Sequence, residues 1–279
     1  MNIWAHSIVK NEEKYLWFSV SSVAPFVDKV LLWDTGSTDK TPEICKELTN
    51  RYPEKVNFRQ VKQESADDFT LVRQAMLDQT DSDWLIILDG DEIWWEDSIK
   101  EVVKTIGEKG NEIESIVVRM IYPIGDIYHR QEEAAGRYEL AGKKGHISLR
   151  AVNRRIPGLS SSFPHGTQGF TDENGIMIQN RDSKKISFVD VPYMHFSLLP
   201  RGGSRIADEN VVKRPQKLKY EFGEEFPKDY YYPEVFFRYR PNFVPSPWTK
   251  ITPLFKARAI IETPLRKIKR KVWRSKIGY

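Results

Sequence analysis

At 279 residues, with 40% hydrophobic and 29% charged residues, the chain has the size of one large domain with appendages, or of two small ones, and the composition of an ordinary soluble globular protein. Its one cysteine, Cys45, excludes an intramolecular disulfide framework and suits a reducing compartment. A net charge of +4 excludes a uniform polycation, and no apolar run approaches the length of a membrane span.

Met1-Asn2-Ile3-Trp4 enters a strand pattern directly, without the basic start and apolar run of a secretory signal. Asn2 to Val9 reads as a first strand, and a helix is expected from Lys14 to about Val23, with Asn11 or Glu12 placed to cap it. Val27 to Trp33 is a second strand, ending in Asp34-Thr35-Gly36-Ser37-Thr38-Asp39. Thr41-Pro42-Glu43 supplies a cap, a first-turn proline and a first-turn acid, predicting a helix to about Asn50. Val56 to Val61 gives a third strand. Asp67-Asp68 caps a further helix in which Phe69, Val72 and Met76 align, with Arg73 on the neighbouring face.

Trp84 to Leu88, bounded by Asp83 and Asp89, reads as a strand buried on both faces. Strands alternating with helices over the first hundred residues predict an α/β protein with an open, mostly parallel sheet. Such sheets hold ligands beyond the carboxyl ends of their strands, and here that end carries Asp89, Gly90, Asp91 and Glu92. Acids so crowded repel one another unless a positive charge joins them. A divalent cation, Mn²⁺ or Mg²⁺, shared with a diphosphate does this; an acidic turn capping the next helix is the plainer alternative.

After residue 106 the character changes. Ile116 to Ile121, His146 to Val152 and Ile186 to Phe196 read as strands, Gly125 to Gly145 as polar loop, and Pro157 to Asn174 as an ordered loop or lid. Three sections follow: 1–106, 107–247 of the same domain, and 248–279 as a basic tail.

Asn11-Glu12 after the first strand, Asp34 to Asp39 after the second, Arg73 before the fourth and Asp89-Gly90-Asp91-Glu92 after it resemble, in that order, the family 2 glycosyltransferases. The resemblance is good over about the first hundred residues and loose beyond. It implies the A-type fold, a Rossmann-like sheet flanked by helices, with 1–106 as the nucleotide-sugar-binding half, 107–247 as a loop-rich acceptor-binding and catalytic half, and a basic C-terminal helix. It implies that Ser7, Asn11, Glu12, Asp34 and Gly36 serve the base and ribose, and that Arg73 lies near the diphosphate. Asp91 first and Asp89 second would hold the metal, with His195 completing its shell and Asp89 also near the ribose. His165 would face the acceptor, although Gly166 stands where some relatives carry a glutamate. Inversion by direct displacement requires a carboxylate base; Glu139, Asp172, Glu173 and Glu92 are the candidates, with the Asp172/Glu173 loop preferred.

The implied reaction moves a sugar from a nucleotide-sugar donor, UDP-linked, to a hydroxyl of a glycan or lipid-linked acceptor in surface polysaccharide or glycolipid synthesis. It would run in the cytoplasm, at the inner face of the membrane. A sugar-nucleotide pyrophosphorylase would carry a Gly-rich basic loop where this chain has Lys10-Asn11-Glu12-Glu13. A non-catalytic module derived from a transferase is the other rival.

From Trp248 onward the chain carries ten basic residues: Lys250, Lys256, Arg258, Arg266, Lys267, Lys269, Arg270, Lys271, Arg274 and Lys276, against one acid, Glu262. On a helical wheel Ile261, Leu265, Ile268 and Val272 share one side, with Trp273 at the border, as in a helix lying on an anionic membrane. The alternative is an apolar stripe packed on the domain. No base-reading motif accompanies the charges, so no nucleic-acid partner is expected.

Overall fold

Short runs of Ile, Val, Leu and Trp, too brief for helices, become strands covered on both faces. In the computed structural model, which describes residues 1–63, 68–161 and 169–272, the chain runs β1 (Ile3–Val9), α1 (Leu16–Val23), β2 (Lys29–Asp34), α2 (Thr41–Arg51) and β3 (Val56–Gln60). It continues with α3 (Asp68–Asp78), β4 (Trp84–Ile87), β5 (Glu92–Trp94), α4 (Glu96–Lys109) and β6 (Ser115–Ile121). Then come β7 (Ile147–Asn153), β8 (Ile186–His195), the short helices α5 (Arg205–Glu209) and α6 (Arg214–Lys217), and α7 (Pro253–Val272).

The eight strands form one sheet in the order β3-β2-β1-β4-β7-β6-β8-β5. β1 is parallel to β2 and β4, β2 to β3, and β6 to β8; β7 runs antiparallel to its neighbours and β5 antiparallel to β8. The expected α/β class and mostly parallel sheet are therefore present, and strands from both sides of residue 106 share it. Alternation along the strands divides the core. Ile3, Ala5 and Val9 face Leu16, Val20, Ile44, Leu48 and Ile99 of α1, α2 and α4. Trp4, Leu31 and Trp33 face Val72 and Met76 of α3 on the other side.

Two expectations change, and one alternative, the stripe packed on the domain, drops out. Asn11 and Glu12 do not cap α1, which has no side-chain cap. The polar stretch after Gly125 contains short strands at Asp126–Arg130, Tyr138–Leu140 and Lys143–Gly145. The stripe Ile261, Leu265, Ile268 and Val272 does not pack on the domain; those side chains are exposed, while Ala259 on another side of α7 is buried.

Candidate active site

The apolar run 84–88 ends at the rim of the sheet, and the acids that follow are fixed from behind by α1. The Ser19 hydroxyl donates to the Asp89 carbonyl (2.9 Å), and Ser22 Oγ accepts from the Trp94 amide (3.1 Å). Gly90 is needed here for close approach: a Cβ on it would stand 2.9 Å from Glu12 Cγ and 3.0 Å from Val9 Cγ1. The chain then enters β5, which pairs with β8 so that Glu92 stands opposite His195. Asp89, Glu92 and His195 thereby bring one donor atom each within 4.8 Å of one another.

Arg150 completes this cluster. It is the extra residue of a β-bulge between Leu149 and Ala151, a device that re-aims a side chain. Its guanidinium pairs with Glu92, stands 3.5 Å from Asp89 and donates to the Tyr193 hydroxyl (2.9 Å). Burial pushes the Glu92 carboxyl well above the usual carboxylate range, with Arg150 opposing it. Desolvation also raises Asp89, but Arg150 and His195 hold it below its ordinary value. Burial lowers His195 to about 4 against the pull of Asp91, so the imidazole is neutral at neutral pH. Its Nδ1 has no hydrogen-bond partner among the described residues, and Tyr122 stacks on the ring at 5.1 Å. Two carboxylates and a neutral imidazole are a donor set that suits Mn²⁺ or Mg²⁺.

Asp91, the expected first ligand, lies just outside this trio. It is fully buried, 3.5 Å from His195 Nε2 and 2.6 Å from Arg201 Nη1. Arg201 holds it as an ion pair, and among the described residues neither of its oxygens accepts a hydrogen bond of regular geometry. Burial would raise its carboxyl, yet Arg201 and His195 draw it down to about 2. Arg201 also meets Glu12 at 3.1 Å, and Glu12 pairs in turn with Arg214, which reaches Asp208 at 3.2 Å and the Lys10 carbonyl at 2.8 Å. Burial raises Glu12 to about 7 despite both arginines.

This network alters the roles expected at the nucleotide end. Glu12 is buried among cations of its own chain and is not presented to a ligand. Asn11, at a left-handed φ of 54°, spends its side chain on the protein: Nδ2 donates to the Ala207 carbonyl (2.7 Å) and Oδ1 accepts from the Thr38 amide (2.7 Å). Both residues are fasteners between the loops after β1 and β2 and the segment 201–214. Asp34 is buried and accepts from the Ser37 amide and hydroxyl, a turn that Gly36 permits with φ 92°. Ser7 is buried inside the sheet, in register with Leu32 and two residues short of the rim pair Val9–Asp34; its hydroxyl has no hydrogen-bond partner among the described residues. Arg73 is buried on α3, over the rings of Phe69 (4.7 Å) and Phe170 (5.6 Å).

The base candidates separate. Asp172 accepts from the amides of Asn174 and Ile176 (2.9 Å each) and pairs with Arg181. Burial raises its carboxyl, but these partners hold it below the usual range, so it is a weak base that staples its own loop. Glu173 beside it and Glu139 on its hairpin are exposed, and Glu92 sits in the cluster. His165 and the cap Asp67 lie outside the described residues, as do Trp273, Arg274 and Lys276.

Sequence reading misses Arg150, Arg201, Arg214 and Asp208. Arg150 alone leaves a trace, a charge in the middle of the apolar strand 147–153, where burial demands a counter-charge.

The sequence profile of Glycosyl transferase family 2 matches residues 6–170. A TPR repeat-containing protein of Synechococcus elongatus is 33% identical over 85 residues, covering 30% of this chain and 19% of that relative, about a fifth of its length. Among solved structures, S. aureus TarS 1–349 in complex with UDP-GlcNAc is 14% identical with a TM-score of 0.48, covering 76% of this chain and 62% of that one. The glucosyl-3-phosphoglycerate synthase of Mycobacterium tuberculosis, in complex with Mn²⁺, UDP and glucosyl-3-phosphoglycerate, is 20% identical with a TM-score of 0.44, covering 70% and 71%.

Proposed function

The chain belongs to Glycosyl transferase family 2, and on that premise we propose that it transfers a sugar from a UDP-linked donor to a hydroxyl of a glycan or lipid-linked acceptor, with a divalent cation. The observation that carries the reading is the meeting of Asp89, Glu92 and His195 at the rim of the sheet. These three residues would hold Mn²⁺ or Mg²⁺. When bound, such an ion neutralises charge growing on the departing nucleoside diphosphate.

The chain's own groups prepare this site. Arg150 pins Glu92 and shields it from Asp89. Arg201 fixes Asp91 beside His195, which keeps the imidazole oriented. At the other end of the pocket we assign Asp34 to the nucleotide, through lone pairs that Ser37 leaves open, and Arg73 to the diphosphate side. The acceptor proton goes to Glu173, because its neighbour Asp172 is tied to Arg181 and two loop amides and Glu92 is committed to the cluster. A Glu173→Gln variant is expected to lose roughly 10²–10⁴-fold in kcat with donor affinity unchanged. Surface polysaccharide or glycolipid synthesis is the pathway class such a transfer serves.

Radiolabelled sugar transfer tests the whole. Activity is expected to vanish with a chelator, to return with Mn²⁺, and to stay absent in Glu92→Gln. Transfer that continues undiminished in chelator refutes the metal role, and donor binding without transfer to any hydroxyl acceptor points to a binding module.

A further inference from the structure

Helix α7 is docked along one side. Phe255 covers Gly125, where a Cβ would stand 2.9 Å from its ring, and lies beside Tyr220 at 5.4 Å. Ala259 is fully buried, Thr263 Oγ1 accepts from the Phe222 amide at 3.0 Å, and Arg270 clamps Glu221 and Glu132. These positions recur at helical spacing and fix how the helix is rotated.

With that side committed, Leu254, Ile261, Leu265, Ile268 and Val272 point away from the domain and remain 58–73% exposed. They form one stripe of a 3.6-residue helix. Exposed Lys271 borders it on one side and exposed Lys269 on the other. A continuous apolar stripe on a surface marks an interaction site, and the charge selects the occupant. A second copy would bring the same lysines against these. An anionic bilayer offers apolar chains beneath a layer of negative headgroups, which matches stripe and border together. No helix among the described residues is long and apolar enough to cross a membrane, so the arrangement is that of a helix lying in the interface.

We propose that α7 docks this protein on an anionic lipid surface, its axis along the membrane, the stripe among the acyl chains and the lysines at the phosphates. Packing and docking are thus not alternatives: the Phe255–Arg270 side holds the domain while the opposite side holds the bilayer. The proposal rests on the exposure and rotation of α7 and stands whether or not the transferase reading does.

Co-sedimentation of the full chain with vesicles of phosphatidylcholine, alone or mixed with phosphatidylglycerol, tests it. Binding is expected to the mixed vesicles only, to weaken with salt, and to fall about fivefold for each of Lys269→Gln and Lys271→Gln. Leu265→Glu/Ile268→Glu is expected to abolish binding while leaving thermal unfolding unchanged, since both side chains already face water. Equal binding to both vesicle types, or binding that survives the double variant, overturns the proposal. A lipid-free dimer that the same variant makes monomeric also overturns it, because the stripe is then covered by a second copy.

Discussion

At the scale of single residues, the site is two buried acids, Asp91 and Glu92, and the half-exposed Asp89, with partners from far along the chain. Asp89, Asp91 and Glu92 are legible in the sequence, because three acids at the end of a buried strand need a cation to hold them together. Arg201 and Arg214 are not, since Arg201 sits between Pro200 and Gly202 and Arg214 stands just before Pro215, with no periodicity to mark either as buried. The consequence is energetic. Arg201→Met leaves Asp91 and Glu12 buried without their shared cation, and a broken buried pair of this kind costs about 3–5 kcal/mol; urea unfolding of the variant checks it, and adding Glu12→Gln is expected to restore part of the loss. His6 gives a second prediction. Burial first, then Arg154 and Arg73, lowers it to about 3, while its Nε2 lies 2.7 Å from Thr80 Oγ1. Above its unfolded value of 6.5 the ring is neutral in both states and pH has no effect through it. Below that, the unfolded chain takes up a proton that the folded chain refuses until about pH 3, so stability falls with acid by up to about 1.4 kcal/mol per pH unit. A His6→Gln variant should lose that part of the slope between about pH 6 and pH 4.5; an identical slope in both proteins would sink the assignment.

At the scale of elements, strands with an apolar run are legible, the antiparallel Ile147–Asn153 among them, and the short antiparallel β5 is not. β2 and β4 carry the unbroken apolar runs that burial on both faces requires, whereas β1 includes His6 and Ser7 and the edge strand β3 reads Val56-Asn57-Phe58-Arg59-Gln60. β5 has three residues, too few to display a period, and only its pairing with β8 turns Glu92 toward His195. The bulge at Arg150 is likewise invisible, because nothing in Ile147–Asn153 signals a changed register. Gly90 reads as a turn residue, and the sharper reason for it is the Glu12 side chain packed on its Cα. Gly90→Ala is therefore expected to destabilise by about 1–3 kcal/mol through overpacking and to displace Glu12 from Arg201. Differential scanning calorimetry measures the first effect. A variant as stable as the parent would show that the β1 loop yields without loss.

At the scale of the molecule, one sheet joins the section that the family resemblance covers well to the section it covers loosely. The loop cluster at its rim draws on β1, β2, β4, β5, β7, β8 and the segment 201–214. The fold class follows from the alternation of elements in the first hundred residues, whereas the site is closed by residues after 146 that local pattern cannot connect to it. If Asp89, Glu92 and His195 together grip a cation bridging a nucleoside diphosphate, isothermal calorimetry of UDP with and without Mn²⁺ will show it on the parent and on a folded Asp89→Asn/Glu92→Gln variant. UDP binding is expected to strengthen at least about tenfold with Mn²⁺ in the parent and to be indifferent to Mn²⁺ in the variant; an equal response to Mn²⁺ in both proteins would refute the shared grip.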